Sequence, residues 1–195
     1  MTALPLPRPR LLTAAEFAAL DEATDGRYEL QDGNVVMSPS PIPLHQACQG
    51  ELLAQLRDQV PGDLKVLPAV DLDLELVPPR SPGFVRIPDV VVVTRASFQR
   101  VREHGGLLRA ADAVLVVEIL SPGSVRTDRV IKRGEYADAG IPHYWMVDLD
   151  DGPSLTVCHL AGEFGYQDAP PERGVLVTGT PFPLRIDVAA LLDRP

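Results

Sequence analysis

Two apolar runs constrain this chain more than anything else in it. Residues 86–93 read RIPDVVVV and residues 113–120 read AVLVVEIL. Neither alternates as a half-exposed strand does. Continuous runs of this kind suit strands covered on both faces, as in a mixed sheet flanked by helices. Each run carries one carboxylate, Asp89 in the first and Glu118 in the second. An unpaired ionised acid in such a strand is costly, so each calls for a metal or a cationic partner. Pro88 has no N–H and belongs at a strand start or edge, which puts Asp89 near a sheet end, where a site can open.

A polar, helix-compatible segment follows the second run. Ser121-Pro122-Gly123-Ser124 predicts a turn and a cap, and a helix is expected from about 125 to 139, stopped by Gly140 and Pro142. Strand residues beyond Glu118 carry the chain about 10 Å to Ser121 at ~3.3 Å each. A helix packed back antiparallel from Val125 returns about 10 Å by Lys132 at ~1.5 Å each. Lys132 then stands level with Glu118, and Asp128 and Tyr136 share its helix face. An exposed lysine paired with Asp128 fits the same spacing equally well. The chain has 18 lysines and arginines together, but its only lysines are Lys65 and Lys132. An ammonium is a compact point charge that arginine does not mimic.

Two carboxylates and an ammonium meet the needs of phosphodiester hydrolysis. Charge builds on the phosphoryl oxygens and a water must be activated at neutral pH; one or two Mg²⁺ ions do both. Mg²⁺ takes oxygen ligands and usually only one or two protein carboxylates. Asp89 and Glu118 are the candidate metal ligands, and Lys132 the candidate electrostatic catalyst and water positioner.

The remaining chain reads as support. Thr13-Ala14-Ala15-Glu16 is a capping-box pattern for a helix over about 14–22. Tyr28-Glu29-Leu30 and Val35-Val36-Met37, around Asp32-Gly33, predict a hairpin that carries Glu29. A helix over 44–60 follows the Pro39–Pro43 turn and ends at Gly62, with His45 near its buried stripe. His45 there fits a hydrogen-bonded packing residue as well as a functional one, and Glu29 fits a surface carboxylate. Residues 64–70 read as a strand. Residues 71–76 alternate strictly and read as a half-buried strand with a solvated acidic face. Residues 97–112 read as a polar link, 143–149 as a strand, and 154–168 as a hairpin. A short strand near 175–178 and a helical turn at 188–193 end the chain, with no chemistry visible there.

One domain is expected for 195 residues, with 1–12 flexible and the core at about 41–150. Cys48 and Cys158 form no disulfide framework. The first twelve residues lack a signal-peptide core, and no run approaches the ~20 apolar residues of a membrane span. A cytoplasmic location without membrane association is therefore expected. Net charge is −9, which argues against a generic nucleic-acid coat. Residues 95–133 nevertheless hold more bases than acids, and such a zone can contact phosphate or simply be a solvated helix face.

YELQDGNVVMSPSP, His45, RIPDVVVV, VVEILSPGS, Asp128, Lys132, Tyr136 and AGIPHYWMVD occur in this order. Over roughly residues 12–190 the chain resembles a bacterial family of putative restriction endonucleases within the PD-(D/E)XK nuclease superfamily. The resemblance implies an α/β, restriction-endonuclease-like core: a central mixed sheet flanked by helices, with an N-terminal hairpin and a C-terminal β extension. It implies that Asp89 and Glu118 hold Mg²⁺, with Mn²⁺ as a possible substitute, and that the backbone carbonyl of Ile119 joins them. It implies DNA as substrate. The superfamily's lysine usually lies two residues after the second acid, where this chain has Leu120; the resemblance places that role on Lys132. Glu29, His45, Asp128 and Tyr136 match family positions as accessory residues. A homodimer would suit double-strand cutting, with the 28–37 hairpin or the C-terminal strands as its interface. Two other readings stand beside this one. The chain can be a nuclease-fold module that binds or regulates nucleic acid without turnover. It can also be a metal-free hydrolase using two carboxylates as glycosidases do, although few aromatics are present to stack on a sugar.

Overall fold

The computed structural model describes residues 10–20, 27–38 and 40–192. The expectations for 1–9, for 21–22, for Pro39 and for 193 lie outside those residues. The chain opens with α1 (Ala14–Ala18), whose start is the reciprocal cap between Thr13 and Glu16. A hairpin follows, β1 (Arg27–Gln31) and β2 (Asn34–Ser38). Its turn puts Asp32 at φ 47° and Gly33 at φ 74°, the left-handed pair that a two-residue hairpin loop demands. A Cβ on Gly33 would lie 2.7 Å from Pro82 Cβ, so the close approach also requires glycine.

Next come α2 (Pro43–Arg57), β3 (Leu64–Pro68), β4 (Leu72–Asp73), β5 (Val85–Arg86), β6 (Val90–Thr94), α3 (Arg95–His104), β7 (Leu108–Arg109) and β8 (Ala113–Ile119). After β8, Thr127–Lys132 winds as wide π-type turns straight into α4 (Arg133–Asp138). The chain closes with β9 (His143–Asp148), β10 (Ser154–Leu160), β11 (Tyr166–Asp168), β12 (Val175–Thr178) and β13 (Leu184–Asp187).

The strands form two mixed sheets and a small ribbon, not the one central sheet expected. One sheet has the order β2-β1-β5-β4-β7, and the larger has β11-β10-β9-β8-β6-β3. Each contains one parallel pair, β4–β7 and β8–β9 respectively. The reason lies in RIPDVVVV, which is not one strand. Val85–Arg86 belongs to the first sheet and Val90–Thr94 to the second. Pro88, with no N–H to donate, sits at the crossing between them.

Both faces of the larger sheet are covered, as the continuous apolar runs require. On one face Val90, Val92, Leu115, Val117 and Trp145 pack against Cys48, Leu52 and Leu56 of α2, with Ile186 and Leu191 of the C-terminal segment. On the other, Val91, Val93, Val116 and Met146 pack against Tyr136, Tyr144, Leu72 and Leu108. Full burial of each such aliphatic side chain contributes about 1.5–3 kcal/mol. α2 and the turn that follows it also grip β13 with two side-chain amides. Gln55 and Gln59, one turn apart, each donate to and accept from a β13 backbone unit, at Asp187 and Arg185 respectively.

Other boundaries moved for identifiable reasons. α2 ends at Arg57 rather than near Gly62. The alternating stretch 71–76 pairs only at Leu72–Asp73, because Glu75 takes φ 50° and its N–H turns back to Asp73 Oδ1. The polar link contains a helix, α3, capped by Thr94, which accepts from the N–H of Ser97. Of the expected helical turn at 188–193, the described residues hold one short 3₁₀ turn, Ala189–Leu191. Among the described residues, no helix is long and apolar enough to cross a membrane.

Candidate functional site

The β6–β8 register brings the two acids together. Val90 lies opposite Val117 in an antiparallel pair, so the residue before Val90 meets the residue after Val117. The N–H of Ile119 donates to Asp89 Oδ2 at 2.7 Å. His45 Nε2 lies 3.0 Å from the same oxygen. A carboxylate only accepts, so Nε2 carries the hydrogen, and Nδ1 is left buried without a partner among the described residues. One turn further along α2, Gln49 donates to the backbone carbonyl of Asp89 at 2.6 Å. α2 therefore holds both the side chain and the main chain of Asp89.

Glu118 is 2% exposed. Its Oε1 accepts from Lys132 Nζ at 3.0 Å and from the hydroxyl of Tyr136 at 2.7 Å. Lys132 stands level with Glu118, as the strand-and-helix lengths predict, but it is buried, not an exposed helix lysine. Its Nζ is also 3.0 Å from Glu29 Oε1 and 3.7 Å from Asp128 Oδ1. The π-type turns carry these groups, and Tyr144 donates to the Asp128 carbonyl at 3.0 Å. Such wide turns inside a helix occur often at functional sites. Glu29 arrives from β1, buried rather than on the surface, and accepts from the N–H of Ile87 and from Arg86, both at 3.0 Å. Arg86 in turn forks onto Glu135 at 2.6 and 2.7 Å.

Sequence reasoning did not pick out Arg86, Glu135 or Gln49. Gln49 was within reach, since it follows His45 by four residues on the same helix face. Arg86 had only its neighbours Ile87 and Pro88 to mark it. Its partners Glu29 and Glu135 are distant in the chain.

Acids outnumber bases here. Glu29, Asp89, Glu118, Asp128 and Glu135 cluster around two cations, Arg86 and Lys132. Burial pushes the Glu118 carboxyl well above the usual carboxylate range, against the pull of Lys132, and the nearby Asp89, Asp128 and Glu29 charges add to the rise. Asp128 is also raised, chiefly by burial. Glu29 goes the other way. Burial works against its charged form, but Lys132, the Ile87 N–H and Arg86 hold it below its ordinary value. Burial disfavours the charged form of Lys132, yet Glu118, Glu29 and Asp128 together raise its pKa, so it stays an ammonium. Burial, with Glu118 beside it, raises Tyr136 and keeps its hydroxyl a donor.

Arg27, His45, Asp89, Glu118, Asp128 and Lys132 line an open cleft of about 370 Å³. The donor set fits a small hard cation: oxygen ligands, an excess of negative charge, and a route in. It does not fit a soft metal, because burial and the Asp89 charge push the Cys48 thiol up to about 12. Among the described residues, no three His, Cys, Asp or Glu side chains converge on one point as ligands, so an ion here would rely on few carboxylates, as Mg²⁺ does. The basic zone at 95–133 is largely spent on internal pairs. Arg100 meets Asp112, Arg109 meets Glu75, Arg129 meets Asp148, and Arg133 meets Asp168.

A search of curated proteins finds no match. Among solved structures the chain is similar to a putative nuclease belonging to DUF820 from Anabaena variabilis, with a TM-score of 0.69 and 21% identity. The likeness covers 93% of this chain and 97% of that one, and at this identity it speaks for the fold. Residues 14–189 match the Uma2 family, described as putative restriction endonuclease, over the span that contains both sheets and every residue of the cleft, and the chain belongs to that family.

Proposed function

We propose that the protein is a Mg²⁺-dependent endodeoxyribonuclease with a restriction-endonuclease-like core. In this proposal Asp89 and Glu118 are the metal ligands, with the backbone carbonyl of Ile119 beside them. Mn²⁺ substitutes for Mg²⁺, and DNA is the substrate. The proposal takes the chain as one domain acting as a homodimer. The observation that carries it is the buried ammonium of Lys132, 3.0 Å from Glu118 at the floor of an open, acid-rich cleft.

Bound Mg²⁺ supplies Lewis-acid polarisation of a phosphoryl oxygen and a reactive water at neutral pH. The chain supplies orientation and fixed charge. Lys132 keeps its proton, so it acts as a charge and hydrogen-bond donor rather than as a base. Held by Glu29 and Glu118, it needs no reorganisation when negative charge grows on the phosphate. Asp128, 3.7 Å from the same ammonium, lines the cleft with it. Tyr136 fixes the carboxylate that Lys132 faces. Arg86 and Glu135 brace Glu29 from behind.

Incubation of purified protein with supercoiled plasmid and Mg²⁺ or Mn²⁺ tests the proposal. Nicking is expected, and Asp89→Ala or Lys132→Ala should lower it by about 100-fold or more. Nicking that survives in Asp89→Ala would remove the proposed site. No nicking, together with no ion binding by calorimetry, would leave a module that binds or regulates nucleic acid.

A further inference from the structure

The two cleft carboxylates are restrained in the same way, by different donors. Asp89 Oδ2 accepts from the Ile119 N–H and from His45 Nε2. Glu118 Oε1 accepts from Lys132 and from Tyr136. Each of these oxygens has two donors, so its two lone pairs are used. The other oxygens, Asp89 Oδ1 and Glu118 Oε2, accept no hydrogen bond among the described residues. All four donors are buried or belong to the backbone. The Ile119 N–H, His45 and Tyr136 cannot swing away without leaving a polar group unpaired, at about 1–3 kcal/mol each, and Lys132 is also held in place by Glu29.

From this we infer that His45 and Tyr136 are positioning residues that limit each carboxylate to a single free oxygen, and so select a small octahedral cation over a larger one. The inference rests on the proposed metal site. A carboxylate with both oxygens free can clasp Ca²⁺, which accepts 6–8 oxygens and often takes carboxylates in bidentate fashion. A carboxylate with one oxygen spent offers a single bond. Two such ligands suit Mg²⁺ or Mn²⁺, which keep several waters and tolerate little departure from octahedral geometry. His45 acts through Nε2, with Nδ1 unused, and the π-type turns and α4 place Tyr136 on the other acid. Gln49 completes the arrangement by holding the Asp89 carbonyl, which stops the residue from rotating as a unit.

Calorimetric titration of the full chain with Mg²⁺, Mn²⁺ and Ca²⁺, without DNA, tests this apart from catalysis. The unaltered protein should bind Mg²⁺ and Mn²⁺ more tightly than Ca²⁺. Tyr136→Phe removes one of the two donors on Oε1, opening one of its lone pairs, and should narrow the Mg²⁺-over-Ca²⁺ preference by roughly threefold to tenfold, the scale of one lost hydrogen bond. His45→Ala should do the same at Asp89. His45→Gln, whose amide N–H can occupy the place of Nε2, should restore the preference. General damage to the fold would weaken all three ions together and leave their ratio unmoved. A ratio that stays unchanged in both Tyr136→Phe and His45→Ala overturns the inference, as does Ca²⁺ binding as tight as Mg²⁺ in the unaltered protein. Either of those results leaves the metal site itself standing. Binding of none of the three ions overturns the inference and the metal site together.

Discussion

Removing the Arg86 guanidinium would take the bidentate partner from the half-buried Glu135 and leave the buried Glu29 with only Lys132 and the Ile87 N–H. Arg86 is 1% exposed and bonds both Glu29 and Glu135. Breaking a buried pair by deleting one partner costs about 3–5 kcal/mol, because the remaining charge has no water to turn to. Arg86→Met is therefore expected to lower unfolding stability by roughly that amount in urea titrations. Arg86→Lys should recover only part of the loss, since an ammonium cannot reproduce the planar fork on Glu135. The same residues show what a sequence reveals at this scale. Asp89 and Glu118 are legible because each interrupts an apolar run. Lys132 is legible because lysine is scarce here and because strand and helix rises place it. The roles of Arg86 and Glu135 are not, because an ion pair between distant positions leaves no local pattern. The shared acceptors at Oδ2 and Oε1 are equally invisible, since they depend on rotamers rather than spacing.

Elements were legible where one periodicity governed them. The hairpin β1–β2, helix α2 and the strands β6 and β8 follow from turn chemistry and apolar spacing. The helix α3 was hidden by its polarity: it buries no residue fully and only leans Phe98 and Val101 on the core. Alternation at 71–76 misled because a left-handed residue, Glu75, can end a strand without glycine to signal it. The π-type segment Thr127–Lys132 was read as ordinary helix, since nothing in local composition distinguishes the two. Its extra width has a testable consequence. Val130 in that segment is 63% exposed. Deleting it should let the segment tighten to α-helix, with a stability change of about 1 kcal/mol or less. It would also turn Asp128 and the preceding cleft wall by about one residue's rotation relative to Lys132. Metal affinity by calorimetry and plasmid nicking should both fall well below those of Val130→Ala, which keeps the register.

At the scale of the whole molecule, the split of one apolar run between two sheets was the largest departure from expectation. It is also what builds the cleft, because Asp89 lies where the chain leaves one sheet for the other. The β2 edge of the smaller sheet is exposed, with Met37 68% and Val35 44% accessible. Its outer side pairs with no strand among the described residues, and a strand edge of that kind bearing apolar side chains is a natural pairing surface. Size-exclusion with light scattering is expected to give about twice 21.1 kDa, and Met37→Asp should shift it toward the single-chain mass. A mass of one chain at all concentrations would remove the homodimer from the proposal.

The glutamine grip of α2 on β13 bears on how damage to this protein would be interpreted. The helix that holds Asp89 through His45 and Gln49 near its start is clamped to the C-terminal strand through Gln55 near its end and Gln59 just beyond it. Phe182, Leu184, Ile186 and Leu191 also pack in the core beneath it. A stop codon just after residue 180 would delete no group in the cleft, yet it would uncover that core and release the far end of the helix. In a genetic screen for lost activity, such truncations would score alongside changes at Asp89 or Lys132. The tail would then be mistaken for part of the chemistry, when its contribution is to keep one helix still.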